Sequence, residues 1–152
     1  MSNRQRYEKY LANAELALKI WTDPDRVKRD HVDLDDWLNG AAQSDPNSCG
    51  TLACFGGHLA TWPEFNALGV GRGVEGAPIF QEPGTVTFSF GRRVAYSLFG
   101  DSSLFAVRLD GEEGNLSHAE LDGMSDHEVV TYRLQRHIAW LKEEMREPGE
   151  VQ

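Results

Sequence analysis

The residues best suited to chemistry sit together in NSCGTLACFGGHLATW, residues 47–62, which holds both cysteines of the chain, Cys49 and Cys54, and one of its five histidines, His58. With a helix running through this stretch, Cys54 and His58 lie one turn apart on a shared face, and Cys49 falls at the helix start. There the positive end of the helix dipole and the unpaired backbone N–H groups lower a thiol's pKa, so Cys49 is the candidate nucleophile of a small thiol enzyme. His58 is too far along the helix to serve as its base; that role would fall to His31, His118, His127 or His137, brought in by the fold.

The same atoms suit zinc, with Cys49, Cys54 and His58 as ligands and His31 as the fourth. A structural zinc site normally draws its four ligands from recognisable pairs, and neither a second CxxC nor an HxxxH is present. Zinc is therefore the minority reading and no cofactor is expected; a hydrogen-bonded His58 beside a packed Cys54 is simpler. A third use is ligand binding. Cys49, Gly50, Thr51 and the adjacent backbone N–H groups at the helix start hold a phosphate, Gly57 permits close approach, and His58 or the loop aromatic Phe80 holds a base.

Two further stretches invite chemistry less strongly. DGEEGNLSHAEL, residues 110–121, is acidic like a calcium loop, but its glycine is displaced and no carboxylate falls at the twelfth position. It reads better as a solvated loop leading into a helix capped by Ser117 and Glu120. GVGRGVEG, residues 69–76, has no strand leading into it and no helix after it, so it is not a dinucleotide fingerprint.

The elements that must position these residues are read from periodicity. Tyr7, Tyr10, Leu11, Ala14, Leu18 and Trp21 recur at helical spacing from Arg4 to Trp21, and Thr22-Asp23-Pro24 stops that helix. A short helix is expected over 34–38. The helix over 50–61 carries Gly56 and Gly57 in its interior, each costing roughly 1 kcal/mol against alanine, and Pro63 ends it. From Glu64 to Gly84 the composition turns to glycine and proline, which reads as a long ordered loop. TVTFSF alternates Val86, Phe88 and Phe90, as a short strand or an extended arm over the core. A helix over 92–98 ends at Gly100. In the last helix Ser125 and Glu128 form a capping box, Met124 and Val129 a staple, and Val130, Leu134, Ile138, Leu141 and Met145 the apolar stripe. The four tryptophans, Trp21, Trp37, Trp62 and Trp140, are assigned to the core.

A chain of 152 residues with 40% apolar content has the size of one domain. The expected architecture is mainly α, with α+β as the alternative: residues 1–147 form one globular domain, N- and C-terminal helices pack around the central glycine-bearing helix, and a long irregular loop, with room for a small strand pair, covers one side. Residues 148–152 read as a flexible acidic tail. Lys and Arg number 15 against 24 Asp and Glu, a net charge of −9. That excludes a large cationic footprint for direct nucleic-acid binding. No apolar run has the length of a membrane span and the first residues lack a signal-peptide core, so a cytoplasmic protein with reduced cysteines is expected.

The order LDDW, CGTLACFGGH, RRVAYSLFG and SSLF resembles a group of small, uncharacterised proteins of tailed phages and bacteria that carry a CGT-x-AC-x-x-G-[HW] element. The match spans roughly the middle half of the chain, and its specific part is Cys49 to Thr51, Ala53-Cys54 and Gly57-His58. The resemblance implies a phage-type accessory protein with a counter-defence role in the host cytoplasm, and no established activity comes with it. The leading expectation is a non-enzymatic binding protein that sequesters a host protein or a small nucleotide ligand. The alternatives are a thiol enzyme with Cys49 as nucleophile and a zinc-stabilised interaction module. Oligomeric state stays open.

Overall fold

The computed structural model of the chain describes residues 2–29, 32, 55–73, 77–105 and 116–146. Cys49, Gly50, Thr51, Cys54 and His31, the expected helix over 34–38, Trp37, most of the acidic loop and the 148–152 tail lie outside the described residues.

The architecture is mainly α with a small sheet. Helix α1 spans Asn3–Trp21 and opens on a capping box in which the Ser2 hydroxyl accepts from the Gln5 N–H while the Gln5 side chain accepts from the Ser2 N–H. Helix α6 spans Asp126–Glu144 and opens on the expected Ser125–Glu128 box. The two pack against each other, α1 burying Ala14, Ala17, Ile20 and Trp21, and α6 burying Val129, Val130, Leu134, Ile138 and Leu141. Against Trp21 at the end of α1 lies α2, Phe55–Leu59, every residue of which is buried. Phe55 meets Trp21 edge-on at 5.2 Å and Phe105 edge-on at 5.4 Å, so the glycine-bearing helix is the centre of an aromatic core that also takes in Trp62, Phe65 and Phe99.

Pro63 does more than end a helix. It occupies the first turn of a second short one, α3 (Pro63–Asn66), where its missing N–H costs nothing. Asn66 then ties the chain together by donating to both the Ala60 and the Val70 carbonyls at 2.9 Å.

The segment expected as a long loop with room for a small strand pair holds β1 at Val70–Arg72 and β2 at Pro78–Gln81, and TVTFSF supplies β3 at Phe88–Phe90, in a three-stranded antiparallel sheet of order β1-β2-β3. Val70, Phe80 and Ser89 share the face toward the core, and Ile79, Phe88 and Phe90 the opposite one. TVTFSF thus does not drape its aromatics over the core: Phe88 and Phe90 are 49% and 63% exposed. Gly69 enters the sheet at φ +111°, where a Cβ would stand only 2.1 Å from the Gln81 carbonyl oxygen, so this position needs glycine twice over.

Helix α4 (Arg92–Phe99) ends as expected at Gly100, which adopts the left-handed conformation at φ +78°. A short 3-10 turn, Ser102–Phe105, and helix α5 (His118–Asp122), capped by Ser117 and Glu120, complete the described chain. Among the described residues no helix is long and apolar enough to cross a membrane.

Candidate functional site

A helix end leaves carbonyls without partners, and the end of α4 is satisfied by side chains from two other helices. Asn13 of α1, itself buried, donates from Nδ2 to the Leu98 carbonyl at 2.9 Å. His137 of α6 donates from Nε2 to the Phe99 carbonyl at 2.6 Å. The donation fixes a proton on Nε2, and Nδ1 turns toward Asp101 Oδ2 at 3.8 Å. Asp101 is held in turn, its Oδ1 accepting from the Ser103 N–H at 2.9 Å and hydroxyl at 2.6 Å.

This junction of α4, the 3-10 turn and α6 encloses a cavity of about 370 Å³ lined by Asp101, Ser103, Arg133, Arg136, His137 and Trp140, together with Gly100 and Leu104. Arg133 and His137 are buried in its wall. Arg136 is exposed at its rim, its guanidinium 5.4 Å from the Tyr132 ring centre. Trp140 stacks on His137 at 5.7 Å and 15° between planes, yet remains 47% exposed. The expectation that Trp140 belongs to the core is therefore corrected. It lies beside the apolar stripe of α6 at the cavity's edge, between His137 and the Tyr7 ring, which meets it at 6.0 Å and 70°.

The expected site residues are distributed otherwise. Gly57 and His58 lie buried in α2, with His58 8% exposed and its ring edge-on to Trp21 at 5.6 Å. Phe80, 6% exposed, projects from β2 into a different cavity of about 510 Å³ between α1 and the sheet, which Arg6, Lys9, Tyr10, Tyr96 and several hydroxyls also line. Of the histidines considered as bases for Cys49, His127 and His137 both donate from Nε2 to backbone carbonyls, His127 to that of Trp21 at 2.8 Å. Burial pushes the His127 imidazole below the ordinary histidine value, and the nearby Arg29 charge adds to this against the Trp21 hydrogen bond. His127 lines a third cavity, of about 380 Å³, with Val27, Arg29, Glu128, Thr131 and Tyr132. Among the described residues no group of three or more His, Cys, Asp or Glu side chains is placed to hold a metal ion.

The cationic and aromatic cluster on α6 escaped the motif reading because it is not a motif. Arg133, Arg136 and Trp140 recur at i, i+3 and i+7 within RLQRHIAW, a polar stripe beside the apolar one. That second periodicity was the available signal. No family model, curated protein or solved structure matches the chain.

Proposed function

We propose that the protein is a binding protein whose ligand is a small anionic molecule with an aromatic ring, of the nucleotide class, held in the cavity between α4 and α6. The observation that carries this reading is the convergence of two arginines, a histidine and a half-exposed indole on one concave site of a chain with net charge −9. Arginine guanidinium groups match phosphate oxygens in geometry and charge, and an indole offers a stacking plane to any base. This site is distinct from the one expected at Cys49, Gly50 and Thr51, which lie outside the described residues.

Sequestration fits better than turnover. Nε2 of His137 is taken up by the Phe99 carbonyl and Nδ1 faces the Asp101 carboxylate at 3.8 Å, so this imidazole acts as an anchor for the wall with neither nitrogen turned to a substrate. The resemblance of residues 49–58 to phage accessory proteins gives such sequestration a context, the withdrawal of a host nucleotide in a counter-defence role.

The test is a fluorescence titration with a panel of nucleoside mono- and diphosphates, following quenching of the half-exposed Trp140. Arg136→Ala is expected to weaken binding about tenfold to a hundredfold, the usual range for a hydrogen bond to a charged group. Trp140→Ala should lose a comparable factor through stacking, read by calorimetry. Nucleotides should be recovered unchanged. Binding that neither variant alters, or no binding by the wild type, would remove the proposal.

A further inference from the structure

Among the described residues strand β3 is an edge of its sheet, and the seven residues from Thr85 to Gly91 contain neither a charge nor a proline. Natural edge strands usually carry such a feature because an unpaired edge is a template for another strand. Here the outward face adds apolar side chains to the open edge: Val86 is 90% exposed, Phe88 49% and Phe90 63%, with the two phenyl rings stacked at 6.2 Å. Beyond the strand, Tyr96 on α4 is 60% exposed. Isolated exposed hydrophobics are ordinary, but an alternating row of them along an open edge marks an interaction surface.

From this edge we infer that β3 pairs antiparallel with β3 of a second copy of the chain, joining two three-stranded sheets into one of six strands. Charge placement selects a second copy. The segment is preceded by Glu82, exposed at the β2 end of the turn with one carboxylate oxygen 3.3 Å from Lys9 Nζ, and followed by the exposed pair Arg92 and Arg93, which make no salt bridge among the described residues. Antiparallel self-pairing sets the cationic end of each copy toward the acidic end of the other, whereas parallel pairing would stack like charges. The register follows from the pleat. With the two-fold axis at Ser89, Phe88 of one copy faces Phe90 of the other, and all four rings stand on one face. Ser89 itself is small, and its hydroxyl lies 2.9 Å from that of Ser97 on the opposite face, so nothing bulky obstructs the axis. The contact is isologous and closes on two copies.

Sedimentation velocity over a range of protein concentrations tests the pairing. The wild type should pass from one chain mass to two as concentration rises. The double variant Phe88→Lys/Phe90→Lys alters only exposed side chains, so it should keep the native circular dichroism spectrum and associate at least about tenfold more weakly. In Phe88→Cys/Phe90→Cys, mild oxidation should give an intermolecular disulfide between positions 88 and 90, within the reach of directly opposed strand residues. A wild type that remains monomeric overturns the inference and leaves the patch to a foreign partner. A dimer that tolerates both lysines, or that cross-links without the 88–90 bond, overturns it equally.

Discussion

Trp21 and His127 hold each other by a reciprocal pair of bonds. The indole Nε1–H donates to the His127 carbonyl at 3.1 Å, the imidazole Nε2–H donates to the Trp21 carbonyl at 2.8 Å, and the two rings stack at 4.8 Å with 9° between planes. The Trp21 carbonyl, left over at the end of α1, and the indole N–H are thereby satisfied where α1 meets the start of α6, and the His127 carbonyl accepts from the Thr131 hydroxyl as well, at 3.0 Å. Replacing Trp21 by Phe keeps an aromatic ring but removes the donor and leaves a smaller one in a fully buried site. Urea unfolding should show a loss of about 2 kcal/mol, chiefly from the incompletely filled volume, with the lost indole hydrogen bond added, while the His127 carbonyl keeps the Thr131 hydroxyl. Gly100 is the second residue whose identity is dictated by its surroundings. Its φ of +78° disfavours any side chain, and a Cβ would lie 2.7 Å from two atoms of the Tyr10 ring. Gly100→Ala should therefore cost at least about 1–2 kcal/mol in the same assay, the strain of a left-handed residue with a displaced ring added.

At the scale of elements, helix ends are where the sequence speaks most plainly. The Ser125–Glu128 box predicts the start of α6 to the residue, and the observed mutual bonds, with Glu128 N–H to the Ser125 hydroxyl at 3.2 Å, explain why. Ser125→Ala should lower stability by about 1 kcal/mol, measured by thermal or urea unfolding, while Thr131→Ala, inside the same helix, serves as a comparison. The same legibility holds for α1 and α4, whose apolar spacing and terminal Asp-Pro or Gly signals are local in sequence. For the sheet it holds only in part, for the alternation in TVTFSF that becomes β3. Strands of three or four residues are too short to show a period, and VGR and PIFQ contain the glycine and proline that mark loops in composition. Their pairing depends on contacts distant in sequence, such as Val70 with Phe80, that no local pattern encodes. Trp140 was misplaced for a related reason: tryptophan is a core residue on average, but its position on the α6 surface is set by its angle from the stripe of Leu134, Ile138 and Leu141. The α4–α6 cavity was illegible as well, because it is assembled from the end of one helix and the middle of another.

For the molecule as a whole, acid stability is set by groups whose native titration differs from that of the unfolded chain. His127 is pushed below its ordinary value of 6.5 chiefly by burial. As pH falls through about 6.5 the unfolded chain therefore takes up this proton first, so stability declines from there down to the lower native value and is fully present above the unfolded one. Protonation in the folded state would place a charge on a ring whose Nδ1 is buried without a hydrogen-bond partner, which is why the native form resists it. A second decline belongs to carboxylates. The hydrogen bonds from Arg26 hold Glu64 at about 2 against 4.5, and the Ser125 N–H and hydroxyl hold Glu128 below its ordinary value. Stability from these is present above about 4.5 and is lost as the pH falls toward the native values. Both pairs are solvent-accessible, so their arm should be shallow and weakened by salt. Relief of the repulsion implied by a net charge of −9 acts in the opposite sense on acidification, and 0.15 M salt reduces it to a Debye length of about 8 Å. In such a buffer the melting temperature should fall between pH 6.5 and 5 in the wild type. His127→Gln retains an amide donor for the Trp21 carbonyl but cannot be protonated there, so it should flatten that upper slope and leave the lower one. Arg26→Ala should do the reverse. An upper slope unchanged in His127→Gln would mean that the clasp between α1 and α6 does not govern the response to acid.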